Sequence, residues 1–272
     1  MATSSVFRRR GPLSADGVLP AETVRDQTLA IAGLLDRRIG GPGVFPPQPA
    51  GLWEELAYDT QQFTAQTYRT SDGGDRYRRS LYTFWKRAAP PPTLAAFDAP
   101  DREVCVAARP KSPSPQQALI LMNEPQWIEA ARQLAARVSQ QADAQSPAPL
   151  AMLFQEVLAR PPSRDELRAL ERALATERAA FARDPAAAAR LLGEPQAGDS
   201  AERPSADRQA VDRQSGDRQS ESRKPAGLQA AGRKTFERNE ADQAARADRA
   251  DRAALVCVAH VLLSLEEAVT LP

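Results

Sequence analysis

Histidine is almost missing from this chain: His260 is the single one in 272 residues, which excludes imidazole-rich metal sites and allows at most one His-dependent triad. Cysteine is nearly as scarce, and Cys105 and Cys257 lie too far apart for a Cys-x-x-Cys redox or zinc motif. Cys257-x-x-His260 lacks the second cysteine that c-type haem attachment needs, so no haem or other cofactor is expected in this chain. Those two side chains read instead as a buried thiol and a core histidine. Neither sign of charge prevails, since 36 Lys+Arg stand against 35 Asp+Glu for a formal +1. Without a steering field, no nucleic-acid partner is expected. Long hydrophobic runs are lacking as well. The longest, Leu255 to Leu265, falls well short of the roughly 20 residues that span a bilayer, so the chain reads as not transmembrane. Arg8-Arg9-Arg10 is followed by no apolar stretch that would complete an export signal. Gly40-Gly41-x-Gly43 lacks the Lys-Ser/Thr of a phosphate-binding loop.

What is present is helical periodicity, interrupted by proline and glycine. Val24, Thr28, Ile31 and Leu35 recur on one face after Pro20 and predict a helix that ends before Gly40. GGPGVFPPQPAG predicts an ordered loop, leading into a short helical or turn-like LWEELAY. DRYRRSLYTFWKRA, residues 75–88, carries an apolar stripe of Tyr77, Leu81, Phe84 and Trp85 and predicts a helix. Beyond Pro90-Pro91-Pro92, only EVCVAA could form a short strand. Helical pattern returns in PQQALILM, in PQWIEAARQLAARV with Trp127, Ala131, Leu134 and Val138, and in LAMLFQEVLA. Ser163-x-x-Glu166 is a capping box that opens a helix with Leu167, Leu170, Leu174 and Phe181 on its stripe.

Residues 194–249 mix both charges, and only Val211, Leu228 and Phe236 among them are bulky and apolar. Such a stretch cannot offset its ordering entropy by burial and reads as a disordered charged linker. The closing RAALVCVAHVLLSLEEAV is apolar around nearly its whole circumference and predicts a helix that docks centrally. The expectation is therefore a mainly α fold: an irregular helical domain with long Pro/Gly-rich ordered loops and a disordered charged insertion before the last helix. Residues 1–18 form a flexible N-terminus, 19–193 the domain, 194–249 the linker, and 250–272 a helix that packs back on the domain.

Most of the aromatics fall between Phe45 and Phe97. Beside arginines and carboxylates they could stack sugar rings, and irregular Pro-rich segments equally need large side chains to pin them to a core. Asp98, Asp101, Arg102 and Glu103 lie close together on a probable loop. Paired carboxylates are the minimum equipment for acid/base sugar chemistry or a hard cation, and the alternative is structural pairing with Lys86, Arg102 or Arg109. Arg78 and Arg79 are adjacent, so at most one can face the interior. If the acidic loop folds back over the Tyr77–Trp85 helix, a buried or half-buried arginine–carboxylate pair involving Asp101 is expected.

Read as strings, LPAETVRDQTLAIAGLLDRRIGGPGVFPPQPAGLWEEL, DRYRRSLYTFWKRAAPPPTLAAFDAPDREVCVAAR, SPQQALILMNEPQWIEAARQLA and the terminal HVLLSLEEAV resemble domain of unknown function 1553. That domain forms the C-terminal part of large planctomycete and related bacterial proteins that carry a cytochrome-c-like haem module upstream. The resemblance implies a mostly helical fold and a periplasmic or cell-envelope setting. It implies as partners the upstream haem and family-specific domains, or a separate chain carrying them, and a link to polysaccharide. It carries no catalytic residue, because the family's activity is not established. Where the family reads Thr-Asn-Thr-Pro-Leu-Gln-Ala-Leu, this chain has Ser112-Pro113-Ser114-Pro115-Gln116-Gln117-Ala118-Leu119. The family pattern matches at Trp53, Glu54, Tyr77, Arg78, Arg79, Trp85, Lys86, Asp98, Asp101, Arg102, Glu103 and Cys105, and a binding site is expected there. The functions implied are a non-haem accessory or binding domain, a carboxylate-dependent hydrolase acting on glycans, or a structural envelope component.

Overall fold

The computed structural model describes residues 19–48, 68–86, 90–109, 114–141, 149–194 and 228–269. The expected LWEELAY element, with Trp53 and Glu54, lies outside them, as do residues 1–18 and 195–227. The helices are α1 (Ala21–Ala32), α2 (Pro92–Ala96), α3 (Pro115–Asn123), α4 (Pro125–Gln141), α5 (Pro149–Leu158), α6 (Arg164–Arg183), α7 (Pro185–Leu192), α8 (Leu228–Leu263) and α9 (Glu266–Val269). Two 3₁₀ turns, η1 (Gly73–Tyr77) and η2 (Ser80–Tyr82), stand between α1 and α2. Among the described residues there is no strand, and the mainly α reading with ordered Pro/Gly-rich loops holds. The chain divides into one compact unit of residues 1–175 with 255–272 and a second of 176–254. The division falls inside α6 and again within α8.

In the first unit, α1 and α5 pack against α4, α3 packs against both α2 and α4, and α9 packs on α5. The α4 face is Trp127, Ala130, Ala131, Leu134, Ala135 and Val138, all buried. Alternating large and small residues let neighbouring helices approach closely around the indole. Leu29 of α1, Leu153 of α5, and Leu262 and Leu263 at the end of α8 complete this core. The apolar end of α8 is buried at most positions, but Val261 is exposed and Cys257, expected as a buried thiol, is half-buried. His260, expected as a core group, is half-buried, and its Nε2 meets the Leu121 carbonyl at 3.1 Å.

Helix α1 is shorter than its apolar spacing predicts. It stops at Ala32 because Gly33 adopts φ +77 and returns its N–H to the Ala30 carbonyl, a left-handed cap that suits glycine. The capping box at the start of α6 forms as expected. Ser163 N donates to Glu166 Oε2 at 2.7 Å, and Glu166 N donates to Ser163 Oγ at 3.3 Å. Arg160, followed by the Ser163 backbone N–H, holds the Glu166 carboxyl down at about 2. The predicted stripe of α6 is only half-buried at Leu167, Leu170, Leu174 and Phe181.

Two expectations are corrected. Of the helix expected over 75–88, the described residues 75–86 form two 3₁₀ turns and no α-helix, and residues 87 and 88 lie outside the described residues. The backbone there runs alongside the 36–44 loop, with parallel bridges Asp36–Arg78 and Val44–Thr83 and the hydrogen bonds Asp36 N to Tyr77 O, Val44 N to Tyr82 O and Phe84 N to Val44 O. Tertiary pairing of the main chain overrides an apolar spacing that would also have suited a helix. EVCVAA is likewise not a strand: residues 101–109 are exposed, and no neighbouring strand is present to pair with them among the described residues.

In the second unit, α7 is opened by Asp184, whose Oδ1 accepts from Ala187 N at 3.0 Å, and is closed by Gly193 at φ +72. Glu194 pairs with Arg249 at 2.8 Å and Arg252 at 3.5 Å, and Arg178 pairs with Asp251 at 2.5 Å. Helix α8 itself runs from Leu228. Bulky residues are few in the stretch expected to be a linker, but alanine and arginine are among the best helix formers. Ala250, Ala253 and Ala254 are buried.

Candidate functional site

Among the described residues of the first unit Arg25 and Arg78 are both buried charges, and Arg25 carries the network of widest reach. Arg25 lies one residue after Val24 on the inner face of α1, and its side chain is 4% exposed. Its Nε donates to Gln126 Oε1 at 2.9 Å, Nη1 to the Arg78 carbonyl at 2.9 Å and Ser80 Oγ at 3.1 Å, and Nη2 to the Arg76 carbonyl at 2.8 Å. Asp26, next in sequence, accepts from Ser80 N and Oγ, both at 2.7 Å. Desolvation brings Arg25 down to about 10, against the opposing pull of Asp26 and Glu124, so it stays charged at neutral pH. One guanidinium thus ties α1, the 76–80 segment and the first turn of α4 together.

Arg78 performs the same service for the glycine loop. It donates through Nη1 to the Pro42 carbonyl at 3.1 Å and through Nη2 to the Arg38 carbonyl at 3.4 Å and to the Gly40 carbonyl, with its guanidinium 4.0 Å from the Tyr82 ring centroid. Gly41 sits against it at φ +90, where a Cβ would lie 3.4 Å from Arg78 Nη1. Arg79 points the other way, exposed, with Asp26 4.0 Å off. One arginine in and one out agrees with the sequence expectation, though alternation of extended backbone produces it rather than helical rotation.

Tyr77 donates to Glu129 Oε1 at 2.5 Å, and burial followed by that bond pushes its phenol up to about 12. Burial also raises Tyr68, which donates to the Pro46 carbonyl. Both are expected to remain protonated near about pH 11, where an ordinary phenol is mostly ionised. The folded state holds these protons and the unfolded chain does not, so stability falls as pH climbs above the ordinary phenol value. Phenolate absorbance in an alkaline titration, compared with Tyr77→Phe, checks this.

The other expected site residues form a separate, wetter group. Trp85 Nε1 donates to the Asp101 carbonyl at 3.2 Å, and the Arg102 guanidinium covers the Trp85 ring at 4.7 Å. Asp101 and Glu103 are exposed, and Asp101 Oδ1 accepts from Glu103 N at 3.0 Å. Asp98 and Lys86 are half-buried, and Asp98 (φ +59) and Arg102 (φ +66) both adopt left-handed backbone. Arg109 pairs with Glu22, at 2.7 Å and 3.2 Å, rather than with the neighbouring acids. Cys105 is exposed.

The expected buried pair at Asp101 is thereby corrected: the loop is held through a main-chain carbonyl and a stacked guanidinium. Asp101→Ala keeps that carbonyl and is expected to cost less than about 1 kcal/mol, with a denaturant midpoint close to the parent's.

A third feature has no counterpart in the sequence expectations. Arg25, Gln48, Thr83, Thr93, Glu124, Gln126 and Trp127 meet prolines 46, 47, 91 and 92 around a small cleft with room for about one water molecule. Glu124 Oε2 accepts from Thr93 Oγ1 at 2.8 Å. Burial raises this carboxyl's pKa against the lowering pull of Thr93, the Gln126 backbone N–H and Arg25. Trp127 Nε1 and Thr83 Oγ1 are buried without a hydrogen-bond partner. Leaving such groups unpaired costs free energy, and a ligand that pairs them would recover it.

Arg25 was discoverable in principle, because a cation stands within the run Val24, Thr28, Leu29, Ala32 of inward positions. Glu124, Thr83 and Trp127 carried no comparable signal. Among the described residues, no group of three or more His, Cys, Asp or Glu is placed to hold a metal ion, and no helix is long and apolar enough to cross a membrane.

No curated protein and no solved structure matches the chain. A family model described as PSD1, protein of unknown function (DUF1553), matches residues 14–174, more than half of the sequence and the whole span from α1 to α5 in which these sites lie. The chain belongs to the DUF1553 family.

Proposed function

We propose that this chain is a non-haem binding domain of a bacterial cell-envelope cytochrome-type protein, engaging polysaccharide and the haem-bearing and family-specific modules that the family resemblance places upstream. The observation that carries the binding half of this reading is the cleft, walled by proline, in which Glu124 is the one carboxylate among the described lining residues. Glycoside hydrolysis by the common routes needs two carboxyl groups facing each other across the scissile bond. Asp101 and Glu103 are instead exposed on the 101–109 segment, one capping the backbone of the other. The arginines of the family motif serve the fold: Arg78 is spent on carbonyls, as is Arg25. Trp85 under Arg102 supplies a second surface at which a sugar face or a neighbouring module could stack.

Affinity electrophoresis of the purified chain through gels containing neutral or acidic polysaccharide tests this, alongside a reducing-end assay. Retardation without release of reducing ends is the expected result. Release of reducing ends would move the reading to a hydrolase, and neither retardation nor release would move it to a structural component.

A further inference from the structure

We infer that the exposed segment from Glu103 to Ala107 pairs as an antiparallel strand with the same segment of a second copy of this chain, about a two-fold axis at Cys105.

The sequence sets two strand-forming residues, Val104 and Val106, at alternate positions, and the fold leaves them without a neighbour. Every residue from Asp101 to Arg109 is exposed, Val104 at 67% and Val106 at 52%. Among the described residues, Val104 to Ala108 exchange no main-chain hydrogen bond. A β-prone segment with free main-chain donors and acceptors is a template for another strand. Both of its ends are held. The Asp101 carbonyl accepts from Trp85 Nε1 and Arg102 covers the Trp85 ring, while Arg109 is bonded twice to Glu22. Fixed ends lower the entropy lost when the residues between them are ordered by a partner. In the single chain the backbone bends at 102–104 and again at 107–108, so pairing straightens it.

The residue pattern names the second copy as the occupant. Val104-Cys105-Val106 reads the same in both directions. Antiparallel pairing centred on Cys105 therefore sets Val104 of each copy opposite Val106 of the other, with both valine pairs on one face of the ladder. The same contact is made twice, as an isologous two-fold interface requires. Charge selects the antiparallel direction. Asp101 and Glu103 stand at one end, where the Arg102 guanidinium is taken up by Trp85, and Arg109 stands at the other, 41% exposed beside Glu22. Antiparallel pairing brings the acidic end of each copy to the basic end of its mate, whereas parallel pairing would set like on like. The contact is small, so the association is a weak one.

The test uses the full chain carrying Cys257→Ser, which leaves Cys105 as the one thiol, and a short bis-maleimide, each ring of which adds one thiol across its double bond. Directly opposed residues of an antiparallel pair have Cα atoms about 4.5–5.5 Å apart, within the reach of the linker. A covalent dimer is expected whose yield rises with protein concentration, matched in the parent chain by a sedimentation coefficient that rises in the same way. Val104→Lys with Val106→Glu sets opposite charges across the ladder and should keep the cross-link. Val104→Lys with Val106→Lys sets like charges across it and should lower the yield about tenfold or more. Both pairs of substitutions should leave the denaturant midpoint unchanged, because the side chains are exposed. Should Cys257→Ser fail to fold, sedimentation of the two charge variants in the parent background makes the same comparison.

A monomer at every concentration with no cross-link would overturn the inference. A sedimenting dimer whose Cys105 thiols do not cross-link would also overturn it, by placing the interface elsewhere. Equal yields from the two charge variants would overturn the antiparallel register.

Discussion

Arg25→Met is expected to destabilise the chain by about 3–5 kcal/mol, the scale on which removing one partner of a buried, hydrogen-bonded charge acts. Four acceptors lose their donor at once: the Arg76 and Arg78 carbonyls, Ser80 Oγ and Gln126 Oε1. Water can reach few of them, because Ser80, Arg78 and Gln126 are buried. Gln126 Nε2 would still donate to the Arg76 carbonyl at 3.2 Å, so the loss is not total at that oxygen. Asp26 would also lose the cation 3.7 Å away. Arg25→Lys should recover only part of the loss, since an ammonium with three donors cannot reproduce a planar fork serving four acceptors in different directions. Urea denaturation of the three proteins decides it. An Arg25→Met midpoint equal to the parent's would mean that the network contributes nothing net and that α1 is held by its apolar face alone.

Arg78→Ala is expected to cost about 2–3 kcal/mol, less than Arg25→Met, although the side chain is equally buried. The difference lies in the acceptors: residues 37–43 are exposed, so water can replace the guanidinium at the Arg38, Gly40 and Pro42 carbonyls. What water cannot replace is the stack on Tyr82 and the tether that holds the loop closed. The loss should therefore be accompanied by faster amide exchange across residues 37–43. Gly41→Ala should produce the same local signature through a different cause, since a Cβ there combines φ +90 with a 3.4 Å approach to Arg78 Nη1. Slow exchange in the loop of Arg78→Ala would show that the bridges at Asp36 and Val44 suffice to hold it.

How far the fold was legible varies along the chain with the range of the forces involved. The α4 stripe and the Ser163–Glu166 box were readable because both act within about one or two turns of helix. The end of α1 was misread by its periodicity, which continued to Leu35, while the left-handed cap at Gly33 stopped the helix earlier. Residues 75–86 were misread for the opposite reason. Their spacing is compatible with a helix, but their main chain found partners at Asp36 and Val44, on a distant segment that no local pattern announces.

The sequence by itself determined the helical class, most helix positions, the absence of a haem attachment motif and the family to which the chain belongs. All of these rest on spacings of a few residues or on matched strings. The tertiary structure alone decided which charges serve the fold and where a ligand could sit. Arg25 reaches oxygens 51 to 101 residues away, and whether a guanidinium is buried on carbonyls or free for a partner depends on what the folded chain brings around it. The cleft is a product of the same convergence, since Thr83, Thr93, Glu124 and Trp127 meet only after α2 and α4 have packed. The unpaired indole N–H and threonine hydroxyl exist only there, because in the unfolded chain water satisfies both.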